Sequence, residues 1–337
     1  MPERPNLYFG VLPDKYYDLS GAKIFRFNGE KLKSETIDVV HRTIINAVTS
    51  EIYESFPIKF DKKTRSENIA ARASLPIFNL YDQELKNRCN WLILESKGKT
   101  GLVMEYLPRH QGNTIYYCYG ASEPIKEFVK NVPLINASNE NAQNGIKFVL
   151  NGLLFSKQTV NEMISPTDFT AGDSSQTTQI VMNSRNYHHP EKLTKISQSV
   201  RGSVGLHMRK LDIADAESVN QLSDTKISAE RLSLGNHTGV FRDDKLIALV
   251  GGYPLKIIID IESELFSIFI SGDTKTDVNE RGKGYATAAR VALLDDYFKT
   301  PGNQLVVADA NSFSINLTRS IGYRDVMPII WLNYLAV

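Results

Sequence analysis

The strongest constraint on this chain is the turn Arg281-Gly282-Lys283-Gly284-Tyr285-Ala286, which leads from strand-forming residues into a helical pattern running to about Phe298. A glycine-rich turn feeding a helix makes an anion cradle. The first amides of the helix have no intrahelical partner and point outward, and the helix dipole adds partial positive charge there. Glycines let a bulky phosphate approach the backbone, and Arg281 and Lys283 bring formal charge to the same place. The segment Glu280 to Ala286 is therefore suited to a diphosphate.

Two common phosphate motifs do not fit. A nucleotide-triphosphatase loop needs Ser or Thr directly after Gly-Lys, and here Gly284 follows Lys283. A dinucleotide-binding turn needs a third Gly or Ala three residues after the second glycine, and position 287 is Thr.

The residues after the turn are equally ordered. Ala286, Ala289, Leu293 and Tyr297 fall on one helical face, Leu305-Val306-Val307 reads as a strand, and Ser312 to Ser320 reads as a helix stopped by Gly322. Before the turn, Leu206 to Lys210, Gly239 to Arg242, Lys245 to Val250, Ile257 to Ile259 and Phe266 to Ile270 read as strands. Asp243-Asp244 forms a compact turn among them. Helices are expected at Asp212 to Leu222, with Asp212 or Asp215 as cap, and at Ser228 to Leu234. Ile329 to Leu332 closes the chain as a strand.

This pattern resembles the GNAT acyltransferase superfamily. Arg281, Gly284 and Ala286 match its acyl-CoA loop, Thr276 stands five residues earlier at the expected strand end, and Asn311, Ser314, Leu317, Gly322 and Tyr323 match the Asn-led helix that follows. The resemblance covers roughly Leu206 to Leu332. It implies acetyl-CoA or another acyl-CoA as co-substrate, held by Thr276, Arg281, Gly282, Lys283, Gly284, Tyr285, Ala286, Asn311 and Ser314, with no metal. It implies attack by a small-molecule amine on the thioester, in a gap between two splayed strands, with the central strand within Phe266 to Thr276. Asp273 and Glu264 are the nearest carboxylates for proton removal. Many members carry a Tyr one residue after the Leu of the Asn-led helix, as acid for the leaving thiolate. This chain has Thr318 there, a much weaker acid. The expected activity is N-acyltransfer, and an acyl-CoA-binding protein of low or no activity is the alternative.

The first half reads as mixed α and β. Ser34 is placed to cap a helix to about Ile52, with Ile37, Val40, Ile44 and Val48 on one face. Trp91 to Leu94 and Leu102 to Met104 form a hairpin about Gly98, Thr114 to Tyr119 is a third strand, and Glu123 to Asn131 is a short helix. Thr170 to Thr178, almost without apolar side chains, reads as an exposed loop. The expected organisation is therefore a mixed α/β domain over 1–165, a linker over 166–203 and a GNAT-type mixed sheet over 204–337. The first domain is a candidate degenerate copy of the same fold. Its tyrosine-rich strand and following helix within Asn113 to Leu134, and the aromatic end Trp331 to Tyr334, are similar to the glycine N-acyltransferase group, which implies an amino acid as acceptor.

Composition narrows the rest. Lys plus Arg number 39 against 38 for Asp plus Glu, so there is no global pull toward nucleic acid or an anionic membrane, and any anion site must be local. Cys89 and Cys118 are far apart and suit a reducing compartment. The start, Met1-Pro2-Glu3-Arg4-Pro5, has no secretory pattern, so the expected location is cytoplasmic, with a mitochondrial location as the alternative. The pair His188-His189 lacks further ligands at metal spacing, and His207 and His237 are expected to be structural or solvated.

Overall fold

The computed structural model describes residues 10–19, 21–56, 60–107, 113–136, 145–164, 168–187, 195, 198–200, 202–222, 227–261, 264–302 and 304–337. His188-His189 and the Glu264 side chain lie outside what is described. The chain divides into two compact units, the first ending at Gln179 and regaining Val326–Val337, the second spanning Ile180–Asp325.

The first unit opens with β1 (Lys15–Leu19) and β2 (Ala22–Asn28), then α1 (Ser34–Ser55), α2 (Lys62–Tyr81) and the short α3 (Gln83–Lys86). It continues with β3 (Cys89–Ser96), β4 (Lys99–Tyr106), β5 (Thr114–Gly120), α4 (Ser122–Asn136), β6 (Ile146–Asn151), α5 (Lys157–Asn161) and most of β7 (Phe169–Asn183). The second unit holds β8 (Leu206–Lys210), α6 (Ala216–Leu222), α7 (Ala229–Ser233), β9 (His237–Arg242), β10 (Lys245–Ile261), β11 (Glu264–Thr276), α8 (Tyr285–Lys299), β12 (Leu305–Ala310) and α9 (Ile315–Ser320). The last strand, β13 (Arg324–Ala336), lies almost wholly in the first unit.

Each unit has a mixed sheet built on one plan. In the first, the order is β1-β2-β3-β4-β5-β6-β13-β7, antiparallel from β1 to β5, parallel at β5–β6 and antiparallel at β6–β13. In the second, β12-β11-β10-β9-β8 is antiparallel except at β11–β12. A parallel pair needs a crossover, and a helix supplies it in both units: α4 between β5 and β6, and α8 between β11 and β12. Apolar burial fixes these helices. Ile125, Phe128, Val129 and Val132 of α4 pack with Tyr116 and Phe148, while Ala288, Ala289, Val291 and Leu294 of α8 pack with Val240, Val250 and Phe269. Each such large side chain contributes about 1.5–3 kcal/mol by leaving water.

Three local features differ from the sequence reading. Thr170 to Thr178 is a strand, not a loop; its side chains are mostly exposed, and main-chain pairing in the sheet makes it β. The closing strand is longer than expected and runs against β6, from Ile329 opposite Asn151 to Tyr334 opposite Ile146. It thus leaves the unit that holds α8. Ser34 is the first residue of α1 rather than its cap, and no side chain caps that helix. By contrast, the Asp212 carboxylate accepts from the Ala214 amide at 2.8 Å and Ser228 caps α7, as their side chains predict. Among the described residues, no helix is long and apolar enough to cross a membrane, and no three His, Cys, Asp or Glu are grouped to hold a metal ion.

Candidate functional site

The glycine turn sits where β11 gives way to α8. After Thr276 the chain makes a single 3-10 turn, Val278–Glu280, and reaches Gly282 at φ +78° and Gly284 at φ +83°. Both values lie in the left-handed region, so the two glycines are conformationally required. Gly284 is the N-cap of α8; it has no side chain to offer, and the first turn carries no acidic residue. The first intrahelical bond runs from the Ala288 amide to the Gly284 carbonyl at 2.9 Å. The amides of Tyr285, Ala286 and Thr287 therefore precede it without a helical acceptor. A side chain at Gly282 would meet nothing within 4 Å, so the approach is open.

Charge supports the same reading. Arg281 and Lys283 are exposed, and Arg242 donates to the Tyr285 hydroxyl at 2.9 Å and to Glu280 at 3.1 Å. Lys283 reaches Glu280 at 2.9 Å. Lys283 and Arg242 together hold the Glu280 carboxyl below its usual range. Three cations against one carboxylate leave the loop with a net positive charge of two. Tyr285 is buried, so its ring is a packing element of the site, and Ala286 packs against the α8 core.

Beside the loop the sheet opens. β11 and β12 pair only from Ile268 opposite Leu305 to Ile270 opposite Val307, although they run on to Thr276 and Ala310. Ser271 onward therefore has no β12 partner, which leaves a wedge-shaped gap. On its other edge β11 bulges: Leu249 faces Lys275 and Gly251 faces Gly272, so Asp273 and Thr274 stand opposite Val250 alone. Asp273 takes φ +43° there. A bulge re-aims side chains and frees amides from the ladder. Gly272 faces open space.

Asp273 is not an ordinary surface carboxylate. The His237 Nε2 lies 3.1 Å from its Oδ2, the Tyr253 hydroxyl donates to the same oxygen, and the Arg231 guanidinium lies 4.9 Å from the centre of the Tyr253 ring. Burial would raise its pKa, but the bonds from His237 and Tyr253 and the charge of Arg231 outweigh this and hold it below the usual range. The Tyr253 hydroxyl is pushed up by burial and by the adjacent Asp273. His237 is fully buried, its Nδ1 has no hydrogen-bond partner, and its ring occupies the space that a side chain on Gly251 would need. The sequence reading missed Tyr253 and Arg231, because the residues of the cluster come from α7, β9, β10 and β11 with no shared spacing.

The Asn-led segment serves its own turn. The Asn311 side-chain oxygen accepts from the Phe313 and Ser314 amides and from the Ser314 hydroxyl, each at 3.1 Å. Thr318 is buried, and its hydroxyl lies against the carbonyls of Ser314 at 3.1 Å and Ile315 at 2.9 Å. Its one proton is committed to its own helix, and the hydroxyl is turned inward. His207 is exposed and stacks on Phe241, with ring centres 5.0 Å apart.

The matching crossover in the first unit is closed. Only Ala121 separates β5 from α4, so no loop intervenes. The Glu54 carboxylate accepts from the Ser122 amide at 3.1 Å and from its hydroxyl, at the start of α4. Beyond Tyr117, where β5 and β6 stop pairing, the Gly120 amide donates to Glu51 at 3.2 Å, and Arg72 bridges Glu51 and the Cys118 carbonyl. The chain's own carboxylates fill that entrance. Cys118 and Cys89 are buried free thiols, and burial pushes Cys89 up to about 12.

No protein-family model matches the sequence, and no curated protein sequence matches it. Solved structures do. A tandem GNAT protein from the clavulanic acid biosynthesis pathway is similar at TM-score 0.55 and 12% identity, over 93% of this chain and 98% of that one. The glucosamine N-acetyltransferase region of a fungal multi-domain β-N-acetylglucosaminidase is similar at TM-score 0.55 and 11% identity, over 96% of this chain and 39% of that one. A Drosophila protein is similar at TM-score 0.51 and 14% identity, over 90% and 96%. With the split parallel pair and helix crossover present in both units, these likenesses show the fold: it is the GNAT fold, in the manner of a tandem GNAT protein.

Proposed function

We propose that the chain is an acyl-CoA-dependent N-acyltransferase acting on a small amine, with its catalytic centre in the second unit. The observation that carries this reading is the uncapped entrance of α8, flanked by Arg242, Arg281 and Lys283, beside the gap between β11 and β12. The residues fit a diphosphate: Gly282 and Gly284 give close approach, the Tyr285, Ala286 and Thr287 amides donate, and Thr276 marks the strand end beside them. Asn311 and Ser314 hold the turn that follows β12, so they support the site through the loop.

When bound, the thioester supplies an activated acyl carbon and a thiolate leaving group. Main-chain amides at the β11 bulge, those of Asp273 and Thr274, are the groups to hold the oxyanion, because they lie past the last β12 pairing and off the regular β10 ladder. Asp273, kept ionised, anchors an incoming ammonium. A carboxylate of lowered pKa is a poor base, so its work is orientation, with the proton passing on to water. The leaving thiolate needs no dedicated acid near neutral pH, since a free thiol has a pKa of about 8.5.

An amino acid is the acceptor that best suits the cluster: its ammonium meets Asp273 and its carboxylate meets Arg231, on either side of Tyr253. This agrees with the resemblance to the glycine N-acyltransferase group. A thiol-release assay with acetyl- and longer acyl-CoA across a panel of amines tests the proposal. Turnover with amino acids supports it, and turnover with none of the panel refutes it. The inward-turned Thr318 hydroxyl favours one second reading, an acyl-CoA-binding protein without turnover. Tight CoA binding with no product for any amine is its signature.

A further inference from the structure

His237, Gly251 and Gly272 form a row across three strands of the second unit: His237 of β9 pairs with Gly251 of β10, and Gly251 pairs with Gly272 of β11. Residues paired in this way direct their side chains to one face of the sheet. The His237 ring lies over Gly251, where an added Cβ would meet its Cδ2 at 1.9 Å, and its Nε2 comes within 3.1 Å of Asp273 Oδ2 on the strand beyond. Tyr253, two residues on from Gly251, shares that face and donates to the same oxygen. A regular strand would send Asp273 to the face opposite Gly272. The bulge, with φ +43° at Asp273, brings it back to His237.

This arrangement costs stability twice. A glycine inside a strand has no side chain to pack, and the fully buried His237 leaves Nδ1 without a hydrogen-bond partner among the described residues. An apolar ring would fill the same space and leave no polar atom unpaired. What the imidazole adds is one N–H. Asp273 is held ionised and can only accept, so the hydrogen between the two belongs to Nε2. His237 and Tyr253 both hold Oδ2, while Oδ1 takes no bond among the described residues. The rest of the bulge is secured from elsewhere. The Thr274 hydroxyl accepts from Arg290 of α8 at 2.7 Å and donates to the Gly272 carbonyl at 3.2 Å. We infer that His237 is a positioning residue for the acceptor: reaching across Gly251, it fixes Asp273 by Oδ2 so that Oδ1 meets the incoming ammonium.

The inference rests on the proposed N-acyltransfer, in which Asp273 anchors that ammonium, and the test separates the two. His237→Phe keeps a ring over Gly251 and removes the N–H. Acetyl-CoA is the donor, and the acceptor is whichever of the common amino acids or simple alkylamines the native protein turns over fastest. The variant should raise KM for the amine about tenfold, with kcat within about threefold and KM for acetyl-CoA unchanged. A merely structural role would not confine the change to the amine. Unchanged KM for the amine overturns the inference and leaves the acyltransfer reading standing, as does a loss confined to kcat. Nitrogen NMR of the native protein decides even if the variant does not fold. Nε2 of His237 should carry the hydrogen, and its signal should move when the amine binds beside CoA; a bare Nε2, or a signal that stays in place, overturns the inference. Absence of native turnover with every amine overturns the acyltransfer reading and the inference with it.

Discussion

Replacing Arg72 with Met should destabilise the first unit more than any surface change. Arg72 is 4% exposed and its partner Glu51 is 1% exposed. The guanidinium donates to Glu51 at 3.0 and 3.1 Å and to the Cys118 carbonyl at 2.9 Å, and it lies 4.4 Å from the centre of the Tyr119 ring. Removing it leaves a carboxylate buried without its counter-charge and takes a donor from a buried carbonyl. Breaking a buried pair from one side costs about 3–5 kcal/mol. For a unit of this size that is a fall of about 6–20 °C in its thermal midpoint. Scanning calorimetry, with urea titration to confirm the free energy, measures it. The double substitution Glu51→Leu with Arg72→Met should recover much of the loss, because the desolvation of two charges is then no longer required. The reasoning fails if the single variant loses less than about 1 kcal/mol, or if the double variant falls further than the single one.

Other expectations follow from the second unit. Gly284→Val should abolish CoA binding by calorimetry while the circular dichroism stays native, because a residue at φ +83° cannot carry a branched side chain and keep the helix entrance open; unchanged affinity removes the site assignment. Thr318→Val should keep the turnover rate within about threefold, since its hydroxyl serves the backbone of its own helix. Asp273→Asn should raise KM for the amine more than it lowers kcat, and the native pH profile should show no inflection from Asp273 at neutral pH. Its folded pKa lies below the ordinary 3.8, so its stabilising effect is complete above that value and disappears as the pH falls through the lower folded one. The stability gap between native and Asp273→Asn, followed by denaturant titration, should therefore shrink on acidification.

The parts legible in the sequence were those with a local physical signature. The glycines at 282 and 284, the helix after them and the hairpin at Gly98 each announce a backbone conformation or a hydrophobic period. What stayed hidden depended on partners distant in sequence. Thr170 to Thr178 buries little, so hydropathy cannot reveal that a neighbouring strand, from the far end of the chain, completes its hydrogen bonding. His237, Tyr253 and Asp273 meet only because β9, β10 and β11 lie side by side. Glu51 is the instructive case. It falls three residues after Val48 on the apolar stripe of α1, and a charge on such a stripe signals either a buried pair or a misread helix.

That buried charge bears on how two similar crossovers come to offer an anion different surroundings. Both units splay a parallel strand pair and cross over through a helix, so the fold alone gives each an entrance for an anion. At α8 the entrance is lined with glycine and framed by arginine and lysine, and its first turn holds no acid. At α4 the connection is a single residue, Glu54 takes the first amide, and Arg72 is turned away from any ligand by Glu51. An incoming phosphate would meet two carboxylates there, one of them fully desolvated and unable to swing aside without leaving Arg72 uncompensated. On the proposed reading, the same pair that secures the first unit's stability also keeps a coenzyme from that crossover, and the proposed centre lies in the unit whose helix begins without a carboxylate.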